Sequence, residues 1–148
     1  MATAKEILAL IKEKEVKYVD VRFTDMRGKM QHVTFDLNLV DEDFLEDGTM
    51  FDGSSIAGWK AINESDMKLR PDLSTAYIDP FYQQTTLCLT CDIVNPDSGT
   101  PYNRDPRSIA KAALNYVKSS GIGDTVYFGP EAEFFIFDDV KWSVQPHD

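Results

Sequence analysis

Val16-Lys17-Tyr18-Val19-Asp20-Val21-Arg22-Phe23-Thr24-Asp25-Met26-Arg27-Gly28-Lys29-Met30-Gln31-His32-Val33-Thr34-Phe35 is the stretch that decides the fold class. Val19, Val21 and Phe23 alternate with Asp20, Arg22 and Thr24, which is the period of a strand with one buried face. Asp25-Met26-Arg27-Gly28 has turn chemistry. The chain then returns from Lys29 to Phe35, with Val33 and Phe35 on one face. This pattern predicts a β-hairpin. Upstream, Thr3-Ala4-Lys5-Glu6 fits a capping box, and Ile7, Leu10 and Ile11 share a helical face. A helix leading into a hairpin makes the class α+β.

Further along, residues 41–45 predict a short helical turn. Residues 49–59, with two glycines, two serines and no clear period, predict a loop. Arg70-Pro71-Asp72-Leu73 and Asp79-Pro80-Phe81 predict turns, because proline restricts itself and the residue before it. A strand is expected over residues 85–94. Asn95-Pro96-Asp97-Ser98-Gly99-Thr100-Pro101 is dense in turn residues and marks a domain boundary, with one domain over 1–100 and a second from 104 to 148. Asp105-Pro106 reads as an N-cap with proline at the first helical position. Ile109, Ala112, Ala113, Tyr116 and Val117 share a face of the helix that follows, and Gly121 ends it. Residues 126–137 then read as a buried strand. A helix and one apolar strand cannot bury their own surfaces, so this region looks like the opening of a larger α/β domain.

The 148 residues are 43% hydrophobic, enough for a packed core. A net charge of −10 argues against a nucleic-acid partner, since phosphates would be repelled. No run of 18 apolar residues suggests a transmembrane helix, and the N-terminus lacks a signal-peptide pattern, so a cytoplasmic protein is expected. Cys88 and Cys91 are spaced as C-x-x-C, but an offset of three on a strand puts the sulfurs on opposite faces. Their Cα atoms would be roughly 10 Å apart, beyond disulfide reach. They are expected to be buried structural thiols. His32 is expected on a strand surface, and His147 lies near the end of the chain.

Two constellations carry chemistry. In Gly129-Pro130-Glu131-Ala132-Glu133-Phe134-Phe135, a strand would set Glu131 and Glu133 on one face, with Cα atoms roughly 6.6 Å apart. Buried carboxylates need a positive partner, and Mg²⁺ or Mn²⁺ suits their oxygens. The alternative is an acidic pair facing solvent on an edge strand. In Phe51-Asp52-Gly53-Ser54-Ser55-Ile56-Ala57-Gly58-Trp59, a carboxylate and hydroxyls stand on a tight loop and could be presented to a small cation. Turn chemistry alone also accounts for these residues.

These two segments, with Asp66-Met67, Arg70-Pro71-Asp72, Thr75-Ala76, Asp79-Pro80-Phe81 and Arg104-Asp105-Pro106-Arg107, occur in an order that resembles the N-terminal third of bacterial type I glutamine synthetase. The resemblance implies a β-grasp domain for roughly the first hundred residues, then the truncated start of an α/β catalytic domain. It implies that Glu131 and Glu133 are ligands of two different divalent ions, Mg²⁺ or Mn²⁺. It implies that Asp52 binds ammonium and helps remove its proton, with Ser55 beside it. The implied activity is ATP-dependent ligation of ammonia to L-glutamate through γ-glutamyl phosphate. The implied assembly is a homo-oligomeric ring, a dodecamer, with active sites between subunits. Two further readings are a related ligase that joins glutamate to another amine and a non-catalytic binding module or regulatory subunit.

Overall fold

The computed structural model describes residues 2–145. Helix α1 (Ala4–Glu13) opens the chain. It starts at the expected capping box, with Glu6 N–H donating to Thr3 Oγ1 at 3.3 Å and Thr3 N–H donating to Glu6 Oε2 at 2.8 Å. The hairpin follows as β1 (Tyr18–Thr24) and β2 (Met30–Asp36), paired antiparallel with Val21 opposite Val33. A short helix, α2 (Glu42–Glu46), is capped by Asp41, which accepts the Phe44 N–H. Three more strands, β3 (Thr49–Asp52), β4 (Asp66–Ile78) and β5 (Thr86–Val94), complete a five-stranded sheet in the order β2-β1-β5-β4-β3. Only β1 and β5 run parallel.

Period-two alternation sorts the sheet into two faces. Val19, Val21 and Phe23 of β1 join Leu87, Leu89, Cys91 and Ile93 of β5 and Met67 and Leu69 of β4 in one core. Ala4, Ile7 and Ile11 of α1 close over that core, as do Phe44 and Leu45 of α2. Each fully buried aliphatic side chain contributes about 1.5–3 kcal/mol.

The opposite face is polar and organised around Asp20, which is fully buried. Its carboxylate accepts from Arg22 Nε at 2.7 Å and from the Thr34 hydroxyl at 2.7 Å, and it lies 2.8 Å from His32 Nδ1. Arg22 is held in turn by the Tyr77 hydroxyl and Asp79, with Tyr77 and Tyr82 rings beside its guanidinium. Both cysteines are buried and free, Cys91 in the core and Cys88 within 3.9 Å of Asp79 on the polar face. Burial pushes the thiol pKa up to about 11 for Cys88 and about 12 for Cys91, so neither is poised as a nucleophile. His32 stands on the strand surface as expected, while His147 lies outside the described residues.

After β5, Asn95 and Thr100 close a tight turn and Tyr102 N–H donates to Ile93 O. Helix α3 (Pro106–Ser120) is capped by Asp105 and ended by left-handed Gly121, as its sequence signals predict. None of its residues is buried, and the expected apolar face lies open, with Ile109 57% and Tyr116 73% exposed. Among the described residues no helix is long and apolar enough to cross a membrane.

Three expectations are corrected. Residues 49–52, expected in a loop, form β3, because Phe51 packs inward against Phe23 opposite Met67. The Arg70–Leu73 turn is absent, and Pro71 sits within β4 opposite Cys91. Proline is tolerated there because β3 pairs with β4 only as far as Leu69, leaving the flank at Pro71 without a strand neighbour. The strand expected over residues 126–137 does not form. Among the described residues no strand pairs with it, and Phe128, Phe134 and Phe135 are 88%, 80% and 86% exposed. An apolar run without a ladder partner has no strand to join.

Burial alone would raise the Asp20 pKa, but the bonds from Thr34, Arg22 and His32 outweigh it and hold the carboxyl below its usual range. A folded pKa below the unfolded value, about 3.9, stabilises the fold above that value and fades as pH falls through the folded value. Asp20→Asn is expected to cost about 2 kcal/mol at neutral pH, because a buried amide cannot accept all the bonds that Arg22, Thr34 and His32 make to the carboxylate, while Arg22 keeps Asp79 and Tyr77. The gap should be smaller in acid, below the unfolded value of about 3.9, than at neutral pH, because the native carboxyl loses its charge as pH falls through its lower folded value. Urea-unfolding midpoints at both pH values measure this, and an equal gap at both contradicts it.

Candidate functional site

Asp52 is the last residue of β3, and β4 sets its position. Asp52 stands opposite Asp66 in the ladder, and β3 alternates half-buried Thr49 and Phe51 with exposed Met50 and Asp52. Phe51 points into the core, so Asp52 must point out. The chain then turns at once through Gly53–Ser55. Gly53 N–H donates to Ser65 O at 2.7 Å. A side chain at Gly53 would not fit, since a Cβ there would lie 2.5 Å from Met67 Cγ and 3.0 Å from Ser65 O. The glycine lets the loop start flat against β4.

The Asp52 carboxylate accepts the Ser54 hydroxyl at 2.6 Å and the Ser54 N–H at 2.8 Å, both through Oδ1. These bonds, with a smaller one from Ser65, hold its pKa below the usual carboxylate value. The result is an exposed, fixed anion at neutral pH. The hydroxyl bonded to Asp52 is therefore that of Ser54, while Ser55 stands exposed one residue on. A polar cleft of about 670 Å³ runs alongside, lined by Lys60, Asn63, Glu64, Ser65 and Asp66 and by the 95–98 turn.

The far end of the loop is held by aromatic packing. Trp59 is 4% exposed and its ring lies 5.4 Å from Phe23, 5.4 Å from Tyr102 and 6.2 Å from Phe51. Its indole Nε1 is buried without a protein acceptor among the described residues, a destabilising feature that the stacking offsets. The Trp59 carbonyl accepts the Tyr102 hydroxyl at 2.8 Å, and the Gly58 carbonyl accepts Arg104 Nη1 at 2.6 Å.

Glu131 and Glu133 are exposed on a segment with no helix or strand. Their oxygens are the donor type that suits Mg²⁺ or Mn²⁺, but no third metal-ligating side chain joins them among the described residues. Beside this segment α3 and residues 126 and 128 enclose an apolar groove of about 440 Å³. At its N-terminal end α3 is fastened to the sheet by charge. Arg107 pairs with Asp72 and, at 2.8 Å, with Asp92, and Lys111 also pairs with Asp92. The sequence-based reading quoted Ser54 and Arg104 only within longer motifs and did not single out Tyr102. Ser54 carried a local signal, because Asp followed two residues later by Ser is an Asx-turn pattern. Tyr102 carried none, and the Arg104 motif did not name the carbonyls that Arg104 binds.

Residues 15–96 match the family described as glutamine synthetase, beta-grasp domain, and residues 103–148 match glutamine synthetase, catalytic domain. The chain is 66% identical over 148 residues to glutamine synthetase of Azorhizobium caulinodans, covering all of this chain and 32% of that one. It is 60% identical over 139 residues to 3-hydroxylaminophenol mutase of Cupriavidus pinatubonensis, covering 94% of this chain and 30% of that one. The cryoEM structure of Plasmodium falciparum glutamine synthetase superposes with a TM-score of 0.72 at 29% identity, covering 82% of this chain and 23% of that one. The chain spans about a third of the length of the curated relatives it matches.

The unpaired indole nitrogen sets an expectation for Trp59. Trp59→Phe keeps most of the stack and removes the unsatisfied donor, so it should cost less than about 1.5 kcal/mol. Trp59→Ala should cost about 3–5 kcal/mol. Urea unfolding of both variants measures the difference, and equal costs would contradict this account of the cluster.

Proposed function

The chain belongs to the glutamine synthetase family, and on that premise we propose that it is the N-terminal part of an ATP-dependent glutamate–ammonia ligase subunit. Residues 1–100 form the β-grasp domain, and residues 104–148 open the catalytic domain. The observation that supports this reading best is the Asp52 loop, where a carboxylate held anionic by Ser54 stands outward on a turn fixed to the core at both ends.

The proposed reaction has two steps. The γ-carboxylate of L-glutamate attacks the γ-phosphorus of ATP, and ADP leaves, giving γ-glutamyl phosphate. Ammonium gives one proton to solvent, the resulting ammonia attacks the activated carbonyl, and phosphate leaves carrying a second proton, giving L-glutamine. Asp52 serves the second step by drawing ammonium from water to the reacting carbon. A carboxyl held low is a strong ionic partner and a weak base. It therefore suits holding the cation better than taking its proton. Ser55 adds a hydroxyl acceptor beside the same position. Glu131 and Glu133 would hold two divalent ions, Mg²⁺ or Mn²⁺, which when bound neutralise charge on the phosphoryl oxygens. The loop of one subunit would complete the site of its neighbour in a dodecameric ring in the cytoplasm.

The second reading, a non-catalytic module that joins such rings, draws on the closed core formed by α1 and the five strands. It leaves the exposed, fixed anion of Asp52 without a use.

The 148-residue chain alone should release no phosphate that depends on ATP, glutamate and ammonium together, because too few ligands are present for two ions. The complete subunit should do so, and Asp52→Asn in it should raise the ammonium KM at least about tenfold, the loss expected when a charged partner becomes neutral. Steady-state phosphate release at varied ammonium measures this. An unchanged ammonium KM would remove Asp52 from the role.

A further inference from the structure

The Gly58 and Trp59 carbonyls end the loop that begins at Asp52, and among the described residues their donors are Arg104 and Tyr102. Arg104 Nη1 donates to Gly58 O at 2.6 Å and to Trp59 O at 3.3 Å, and the buried Tyr102 hydroxyl donates to Trp59 O at 2.8 Å. These contacts span 43 to 46 residues of sequence. Both donors lie on the short segment between β5 and α3.

That segment is rooted twice on one residue. Tyr102 N–H donates to Ile93 O at 2.9 Å, and Ile93 N–H donates to Asp105 Oδ2 at 3.4 Å. Ile93 is fully buried in β5, and Asp105 is fully buried as the cap of α3. The clasp on the loop therefore starts from a fully buried position in the sheet. Gly58 has φ +83, a conformation most side chains avoid, so the chain reverses there and turns its carbonyl toward Arg104.

We propose that Arg104 and Tyr102 are positioning residues for the Asp52 loop: they clasp its C-terminal end and so set where Asp52 and Ser55 stand. The proposal rests on the reading of that loop as the ammonium site. It makes the entry to α3 part of that site, although neither residue touches ammonium. A displacement where α3 joins the sheet would be passed to the loop through these three hydrogen bonds.

Arg104 is exposed, so Arg104→Ala should leave the core intact. In the 148-residue chain, amide hydrogen exchange at Ile56 and Trp59, whose N–H groups close the loop's own turns, should quicken about tenfold in Arg104→Ala. Exchange at Val21 and Leu89 should stay unchanged. Arg104→Lys keeps one donor and should recover part of the protection, and Tyr102→Phe should quicken the same loop amides. Unchanged loop exchange would overturn the proposal, as would equal quickening of loop and core. In the complete subunit, Arg104→Ala should raise the ammonium KM about tenfold with the ATP and glutamate KM values within about twofold. A parallel rise in all three would also overturn it. Asp52→Asn run alongside separates the two ideas. If that variant leaves the ammonium KM unchanged, the ammonium reading fails, and the exchange result alone decides the clasp.

Discussion

The parallel pairing of β1 with β5 is the constraint on which the rest of this structure hangs. It sets Val19 beside Leu87 and Val21 beside Leu89, all fully buried. A parallel pair needs a long crossover connection, and here β2, α2, β3 and β4 supply it. Because β5 is the middle strand, it carries β4, which carries β3, which ends at Asp52. On its other end the same strand carries Tyr102 and Asp105 through Ile93. Both ends of the Asp52–Trp59 loop thus trace back to β5. A shift of one residue in the β1–β5 register would turn every inward side chain of that strand outward.

The two faces of the sheet are held by different physics. One is closed by the apolar sides of α1 and α2. The other is tied by charge, through Asp20 with Arg22 and through Asp72 and Asp92 with Arg107 and Lys111. Asp72 illustrates the balance. Its partial burial raises the pKa, but bonds from Ser74 and the positive charges of Arg107 and Lys111 bring it below the usual value. Charge fixes where α3 begins, while its apolar face and the aromatic run from Phe128 to Phe137 remain exposed.

Local signals were legible in the sequence. The Thr3 capping box, the β1–β2 hairpin, the Asp105-Pro106 start and Gly121 end of α3, and the opposed burial of Cys88 and Cys91 each depend on neighbouring residues alone. Strand β3 was not legible, since four residues are too few to show a period against the glycine- and serine-rich stretch that follows. Pro71 read as a turn because its tolerance depends on where β3 stops pairing. Residues 126–137 read as a strand because an apolar run announces burial without naming the partner that provides it. In the loop, the turn that holds Asp52 was legible from its Asp, Gly and Ser residues. The bonding of Ser54 rather than Ser55 to Asp52 was settled by turn geometry. Arg104 stood in a quoted motif, but its partners, like that of Tyr102, were not legible, because both bind backbone carbonyls far away in sequence and a carbonyl carries no sequence signature.

The intact mass of the polypeptide isolated from its natural source tests the central claim most directly. The account predicts a chain about three times the 16.7 kDa of these residues, in line with the 32% of a related synthetase that they cover. A natural polypeptide of 16.7 kDa would contradict it and leave the non-catalytic module as the reading that fits.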